Sequence, residues 1–119
     1  MNVAVIGASD KTDRYSYKAV KLAQEKGHRV YPVHQRIKQI EGLSVYLSIR
    51  DIVDPIDTVS LYVAADISTK IGEDILAKKP RRIIFNPGAE NAELEARARG
   101  QGILTLNACT LVMLNTGQF

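Results

Sequence analysis

Asn2-Val3-Ala4-Val5-Ile6 runs directly into Gly7-Ala8-Ser9. The first five residues are β-branched and nearly all apolar, as in a strand covered on both faces. Gly7 stops the run. After a polar stretch, Ser16 is placed to cap a helix reaching about Lys26, with Ala19, Val20, Leu22 and Ala23 facing inward. Gly27 then suits a left-handed C-cap.

A second strand is expected at Arg29-Val30-Tyr31-Pro32-Val33, where the proline argues for a strand end or a sheet edge. Residues 34–57 are the least regular. They read as a loop, a short strand near Ser44-Val45-Tyr46, and a helical turn from Ser48 to Val53, stopped before Pro55. Thr58 to Val63 is a strand. The spacing of Ile67, Ile71, Ile75 and Leu76 predicts one helix over 67–78, with Pro80 just past its end. Arg82-Ile83-Ile84-Phe85 is another buried strand, Glu90 to Arg99 a helix closed by Gly100 and Gly102, and Ile103 to Leu106 the last strong strand. The tail from Thr110 to Phe119 carries Leu111, Val112, Met113 and Leu114 and reads as a docked turn or helix.

Strands alternate with helices throughout, so the crossovers should be right-handed and the sheet parallel. The predicted fold is α/β: a single doubly wound (Rossmann-like) parallel sheet of about five strands with helices on both faces. Its ligand crevice should lie at the carboxyl ends of the strands.

The chain has 119 residues, enough for one domain over residues 1–119 with its own core. Hydrophobic residues make up 45% and charged residues 24%, a globular balance rather than a disordered one. The net charge of +3 is mild, and only Lys78-Lys79-Pro80-Arg81-Arg82 forms a basic cluster. That cluster sits where a helix should end, a place cations favour, so it makes no case for a nucleic-acid partner. Cys109 is alone and cannot form an internal disulfide, which removes a secreted disulfide framework. The N-terminus has no basic n-region, and no apolar run approaches the roughly 18 residues of a membrane span. A cytoplasmic location is the simplest expectation. A small domain with an apolar tail is also of a kind that can pair as a homodimer or with another protein.

In this architecture the first strand delivers its turn to the topological switch point, where the next helix aims its N-terminal amides. Gly7 permits a tight turn and close backbone approach, Ala8 and Ser9 stay small, and Ser9 adds a hydroxyl. Arg14 and Ser16 stand at the helix start and can add charge and hydrogen bonds to a phosphate. A lone glycine would be only a strand-ending turn; its place in the first β-α turn is what points to an anion. The dinucleotide fingerprint G-x-G-x-x-G is incomplete, since no glycine follows Gly7 until Gly27. The acid that would hold a ribose 2′-hydroxyl is missing too. The second strand ends instead in Val33-His34-Gln35-Arg36 with Lys38 close behind, and the first acid is Glu41. Cationic and neutral donors suit a phosphorylated ribose, so NADP or a 3′-phosphorylated adenosine fits better than NAD.

Val5-Ile6-Gly7-Ala8-Ser9, Arg14-Tyr15-Ser16 and Val30-Tyr31-Pro32-Val33-His34 together resemble the stand-alone coenzyme A-binding domain proteins. So do Ile40-Glu41-Gly42, Phe85-Asn86-Pro87-Gly88-Ala89-Glu90-Asn91, and Ala108-Cys109-Thr110-Leu111-Val112-Met113-Leu114. Those proteins are similar to the N-terminal domain of the succinyl-CoA synthetase α subunit, and the resemblance covers nearly the whole chain. It implies coenzyme A or an acyl-CoA as ligand. The Gly7-Ala8-Ser9 turn with Arg14 and Ser16 would hold the pyrophosphate. The loop from Val33 through His34 to Lys38 would meet the adenosine and its 3′-phosphate, with Arg36 first and Lys38 second. Asn86-Pro87-Gly88 would line the pantetheine side. His34-Gln35-Arg36 stands where many relatives carry an Asn-Pro-Arg type loop, a departure that keeps the cation.

Catalytic machinery is not visible. No His, Cys, Asp or Glu set has metal-ligand spacing, and no nucleophile–base–orienter set appears. His28, beside Gly27, reads as a solvated helix-terminus residue where a cation is favourable. Cys109 follows the last strand and so lies toward the ligand edge, where a mixed disulfide with coenzyme A is conceivable; a small buried hydrophobe is the commoner role. The expected function is a non-catalytic binding or regulatory module for a small-molecule nucleotide. The alternative is an NADP-binding domain or subunit of an oxidoreductase.

Overall fold

The computed structural model describes residues 1–119. The chain runs β1 (Asn2–Ile6), α1 (Tyr15–Glu25), β2 (Arg29–Val33), the pair β3 (Gln39–Ile40) and β4 (Leu43–Ser44), then a 3-10 turn at Ile49–Asp51. It continues through β5 (Thr58–Leu61), α2 (Ala65–Lys70), α3 (Gly72–Ala77), β6 (Arg82–Phe85), α4 (Ala92–Gly100), β7 (Leu104–Asn107) and α5 (Thr110–Thr116). Five strands form one parallel sheet in the order β2-β1-β5-β6-β7, the doubly wound sheet the sequence predicts.

The register separates two faces. Ala4, Ile6, Val59, Leu61, Ile83 and Phe85 point into the larger core cluster, which also holds Ile49, Ile75, Leu76, Leu94 and Ala98 from the 3-10 turn, α3 and α4. Val3 and Val5 point the other way, into a smaller cluster with Ala8, Val20, Ala23 and Leu114 from α1 and α5. Residues 3–6 are all buried, which is why that strand shows no polar alternation. The tail is a helix, α5, packed on α1.

Pro32 lies in β2, the edge strand, opposite Val5. The free edge is partly closed by Tyr46, whose amide bonds the Pro32 carbonyl (2.9 Å) and whose carbonyl takes the His34 amide (3.0 Å). The short strand expected at 44–46 is therefore divided: Ser44 ends the β3–β4 hairpin, and Tyr46 makes a single bridge to Val33.

Three local readings need correction. Ser16 is not the cap of α1. The helix starts at Tyr15 with Arg14 as N-cap in extended conformation, and Ser16 is a buried residue of its first turn. The helix expected over 67–78 is two, broken at Ile71 (φ −101°, ψ 6°). At the break α4 packs closely on the start of α3: a β-carbon on Gly72 would lie 3.2 Å from Leu94 Cδ1. Asn91, the N-cap of α4, also donates to the Ala65 carbonyl, Ser68 Oγ and Thr69 Oγ1 and ties α2 down separately. Finally, His28 is not a solvated cation site. It is half-buried, its ring meets Phe119 edge-on with centroids 5.1 Å apart, and its Nδ1 stands 3.1 Å from the N-terminal amine. Burial, then that amine, then Arg82 hold its pKa below the usual histidine value.

Candidate functional site

β1 sits between β2 and β5, and the chain leaves them toward opposite faces, α1 on one and α2 on the other. This is the switch point of a doubly wound sheet. A groove of about 1170 Å³ opens there. Its lining brings together Gly7, Ala8, Ser9, Arg14, Ser16, Val33, His34 and Arg36.

The turn after β1 is fixed from two sides. Gly7 has φ +85°, and its amide and that of Ala8 both reach the Val33 carbonyl, at 3.1 and 3.3 Å. The first two amides of the turn are thus committed to the end of β2. Ser9 Oγ accepts the Lys11 amide at 3.0 Å, which folds the connection back toward the start of α1. The N-terminus of α1 is bare. It has no side-chain cap and no acid in its first turn, and the amides of Tyr15, Ser16 and Tyr17 find no acceptor within the protein. Three unsatisfied amides and the helix dipole make such an end attractive to an anion.

The cations around this end are also unpaired. Lys11, Arg14, Arg36 and Lys70 all line the groove, and none forms an ion pair within 4 Å; Asp10 is the one acid in the lining. His34 organises the loop beyond β2. Its Nδ1 accepts the amides of Arg36 (3.0 Å) and Ile37 (3.2 Å), so the ring carries its proton on Nε2 and holds the backbone from which Arg36 extends.

The opposite wall comes from residues not anticipated from the sequence: Leu47, Ser48 and Ile49, then Tyr62, Val63 and Ala64 at the end of β5, and Ile67, Lys70 and Ile71 of α2 and its cap. Lys11, Tyr15 and Ile37 complete the first wall. The Tyr62–Ala64 segment had a signal available, because the strand beside β1 on the far side of the switch point contributes its outgoing loop to the crevice. The Leu47 segment had none.

Tyr62 hides its hydroxyl. The oxygen is buried without a hydrogen-bond partner, and burial pushes the phenol pKa up to about 12. The Thr110 and Ser60 hydroxyls lie near enough to offset this in part, although neither reaches hydrogen-bond geometry.

Lys38 and Asn86-Pro87-Gly88 are not on the groove lining. Lys38 is exposed on the approach to β3. Asn86 to Ala89 form a turn with Pro87 second, Gly88 third at φ +90°, and an Asn86 carbonyl to Ala89 amide bond of 2.8 Å, the pattern of a type II turn. The Asn86 side chain is fully buried and fully occupied. Its Nδ2 donates to Ser60 Oγ (3.0 Å) and the Leu61 carbonyl (2.8 Å), and its Oδ1 accepts the Thr110 amide (2.8 Å). Cys109 is a half-buried free thiol at the N-cap of α5, also off the lining.

Fold and groove together define a Rossmann-like α/β domain with a groove at its switch point. The family model described as a CoA binding domain matches residues 1–115, and the chain belongs to that family. Over 74 residues it is 31% identical to uncharacterized protein YneT of Bacillus subtilis, covering 62% of this chain and 55% of that protein. Over 62 residues it is 34% identical to the α subunit of the ADP-forming acetate–CoA ligase II of Pyrococcus furiosus, covering 51% of this chain and 14% of the subunit. The chain thus spans about half of the first relative and a small part of the second. A crystal structure of an uncharacterized protein superposes with TM-score 0.93 at 36% identity, covering 99% of this chain and 97% of the other. A hypothetical protein from Pyrococcus horikoshii superposes with TM-score 0.90 at 28% identity, covering 96% and 81%. No helix is long and apolar enough to cross a membrane.

Proposed function

We propose that the groove binds coenzyme A or an acyl-CoA, and that the domain is a non-catalytic binding or regulatory module. The observation that carries this is the bare N-terminus of α1 in a groove with four unpaired cations and a single acid. Such a site favours a ligand of several negative charges. The Ser9 hydroxyl, the free amides of the first turn of α1, the Ser16 hydroxyl and Arg14 would hold the pyrophosphate. Arg36, held out by the His34 turn, would take the 3′-phosphate of the adenosine. No carboxylate stands there to prefer a bare ribose.

Melting temperatures with coenzyme A, 3′-phosphoadenosine compounds, NAD and NADP test the reading. A ligand of the native state at a hundred times its Kd stabilises by about 2.7 kcal/mol. Coenzyme A should raise the melting temperature; a rise with NADP and none with coenzyme A would replace this reading with an oxidoreductase nucleotide domain. Arg36→Ala should weaken coenzyme A more than dephospho-coenzyme A, and equal losses would remove the 3′-phosphate assignment.

A further inference from the structure

Tyr15, Leu47 and Ile67 are large apolar side chains left 60%, 68% and 45% exposed, and all three stand on the groove. Apolar surface held open at the rim of a pocket marks a place that a ligand covers. Leu47 and Ile67 belong to the wall away from the phosphate turn. Behind them lie Ile49, Val63 and Ile71, all packed on the larger core and therefore fixed in place. Between Leu47 and Ile71 this wall offers a ligand mostly carbon: the Tyr62 hydroxyl is buried, Ser48 supplies the one other hydroxyl and Lys70 the one charge. Ser48 is already engaged, since its oxygen accepts the Arg50 amide. A pantetheine arm, with two amides and a hydroxyl, would leave its polar groups poorly matched here. A hydrocarbon chain would not.

We propose that this apolar branch of the groove receives the acyl chain of an acyl-CoA, so that the domain prefers thioesters of several methylenes over free coenzyme A or acetyl-CoA. The proposal rests on the coenzyme A reading above. It places the adenosine toward Arg36, and the acyl chain along the wall that runs from Leu47, next to the edge of β2, to Ile67 of α2. Each methylene buried against Leu47, Ile67 and the fixed wall should tighten binding about two- to fourfold.

The test is a Kd series for free, acetyl-, butyryl-, hexanoyl- and octanoyl-coenzyme A on the whole chain and on Leu47→Ser and Ile67→Ser. Both positions are exposed, so both variants should keep the native melting temperature in the absence of ligand. The expected result is a gain of at least tenfold from acetyl- to hexanoyl-coenzyme A. Both variants should flatten that slope. Equal affinity across the series, with free coenzyme A bound, would overturn the acyl branch alone. A slope that survives both substitutions would also overturn it, as adsorption elsewhere. Failure of every member to bind would overturn the coenzyme A reading and this one with it.

Discussion

Val63 Cγ1 stands 2.8 Å from the point where a β-carbon on Gly7 would lie, and the Tyr62 carbonyl carbon is only 3.2 Å from it. The turn after β1 is thus pressed against the outgoing end of β5, in addition to its positive φ. Gly7→Ala should cost about 1–2 kcal/mol for the left-handed backbone alone. The clash with fixed backbone adds to this, and about 3 kcal/mol in total is expected, read from the urea midpoint. Stabilisation by coenzyme A should vanish in the same variant, since Ser9 and the amides of α1 are aimed from this turn. A loss under 1 kcal/mol would show that the turn can shift without penalty.

Asn86, the residue after β6, joins two further elements through one buried amide: β5 at Ser60 and Leu61, and α5 at Thr110. Asn86→Ala strands the Thr110 amide in a dry site, worth about 1–3 kcal/mol, while the Leu61 carbonyl keeps the backbone amide of residue 86. A loss of roughly 2–3 kcal/mol in denaturant unfolding is expected. Asn86→Asp should be nearly as harmful, because it sets an oxygen against the Leu61 carbonyl. A tolerated alanine would mean that water replaces the amide.

The Tyr62 hydroxyl has no partner, so Tyr62→Phe should be neutral or stabilising by up to about 1 kcal/mol at pH 7. Alkali should separate the two proteins. The folded phenol holds its proton to about pH 12 whereas the unfolded one releases it near pH 10. Above pH 10 the unfolded state therefore binds fewer protons, and wild-type stability falls as pH rises toward 12, by up to about 2 kcal/mol from this group. Urea midpoints at pH 8.5, 10 and 11.5 should fall less steeply in the variant. Parallel curves would mean that the buried phenol titrates normally.

His28 should act at the other end of the scale. Its folded pKa is lowered, by burial first and by the neighbouring cations next. Below the unfolded value of about 6.5 the unfolded chain takes up the proton first, so this stability is present above that pH and is lost as pH falls through the folded value. Melting temperatures between pH 7.5 and 5.5 should drop more for the wild type than for His28→Asn. Equal slopes would assign the acid sensitivity to other groups.

The sheet was legible because burial on both faces leaves uninterrupted apolar runs. Residues 3–6 and 83–85 carry that mark, and both lie in strands. The hairpin at Gln39–Ser44 was not, since its turn places Glu41 at φ +50°, a conformation glutamate does not advertise. The break at Ile71 was equally silent, because the apolar spacing runs through it without a Gly or Pro before residue 72. In the site, the phosphate turn and Arg36 follow from local chemistry. The apolar wall does not, because Leu47 and Ile67 look like ordinary surface residues until the fold sets them on one groove. Asn86, which the family resemblance sets on the pantetheine side, holds Ser60, the Leu61 carbonyl and the Thr110 amide with its side chain, contacts that only the folded chain brings together.

The docking of α5 on α1 has a kinetic meaning. Leu114, from the last helix, shares a cluster with Ala8 and Val20, so the helix that presents the anion site is braced by residues from the other end of the sequence. Contacts of such long sequence separation pay their loop-closure entropy late, after the local and neighbouring strand pairs have formed. The anion site is then among the last parts of the molecule to mature. A ligand bound there would act on escape from the native state, prolonging its lifetime far more than it hastens its formation.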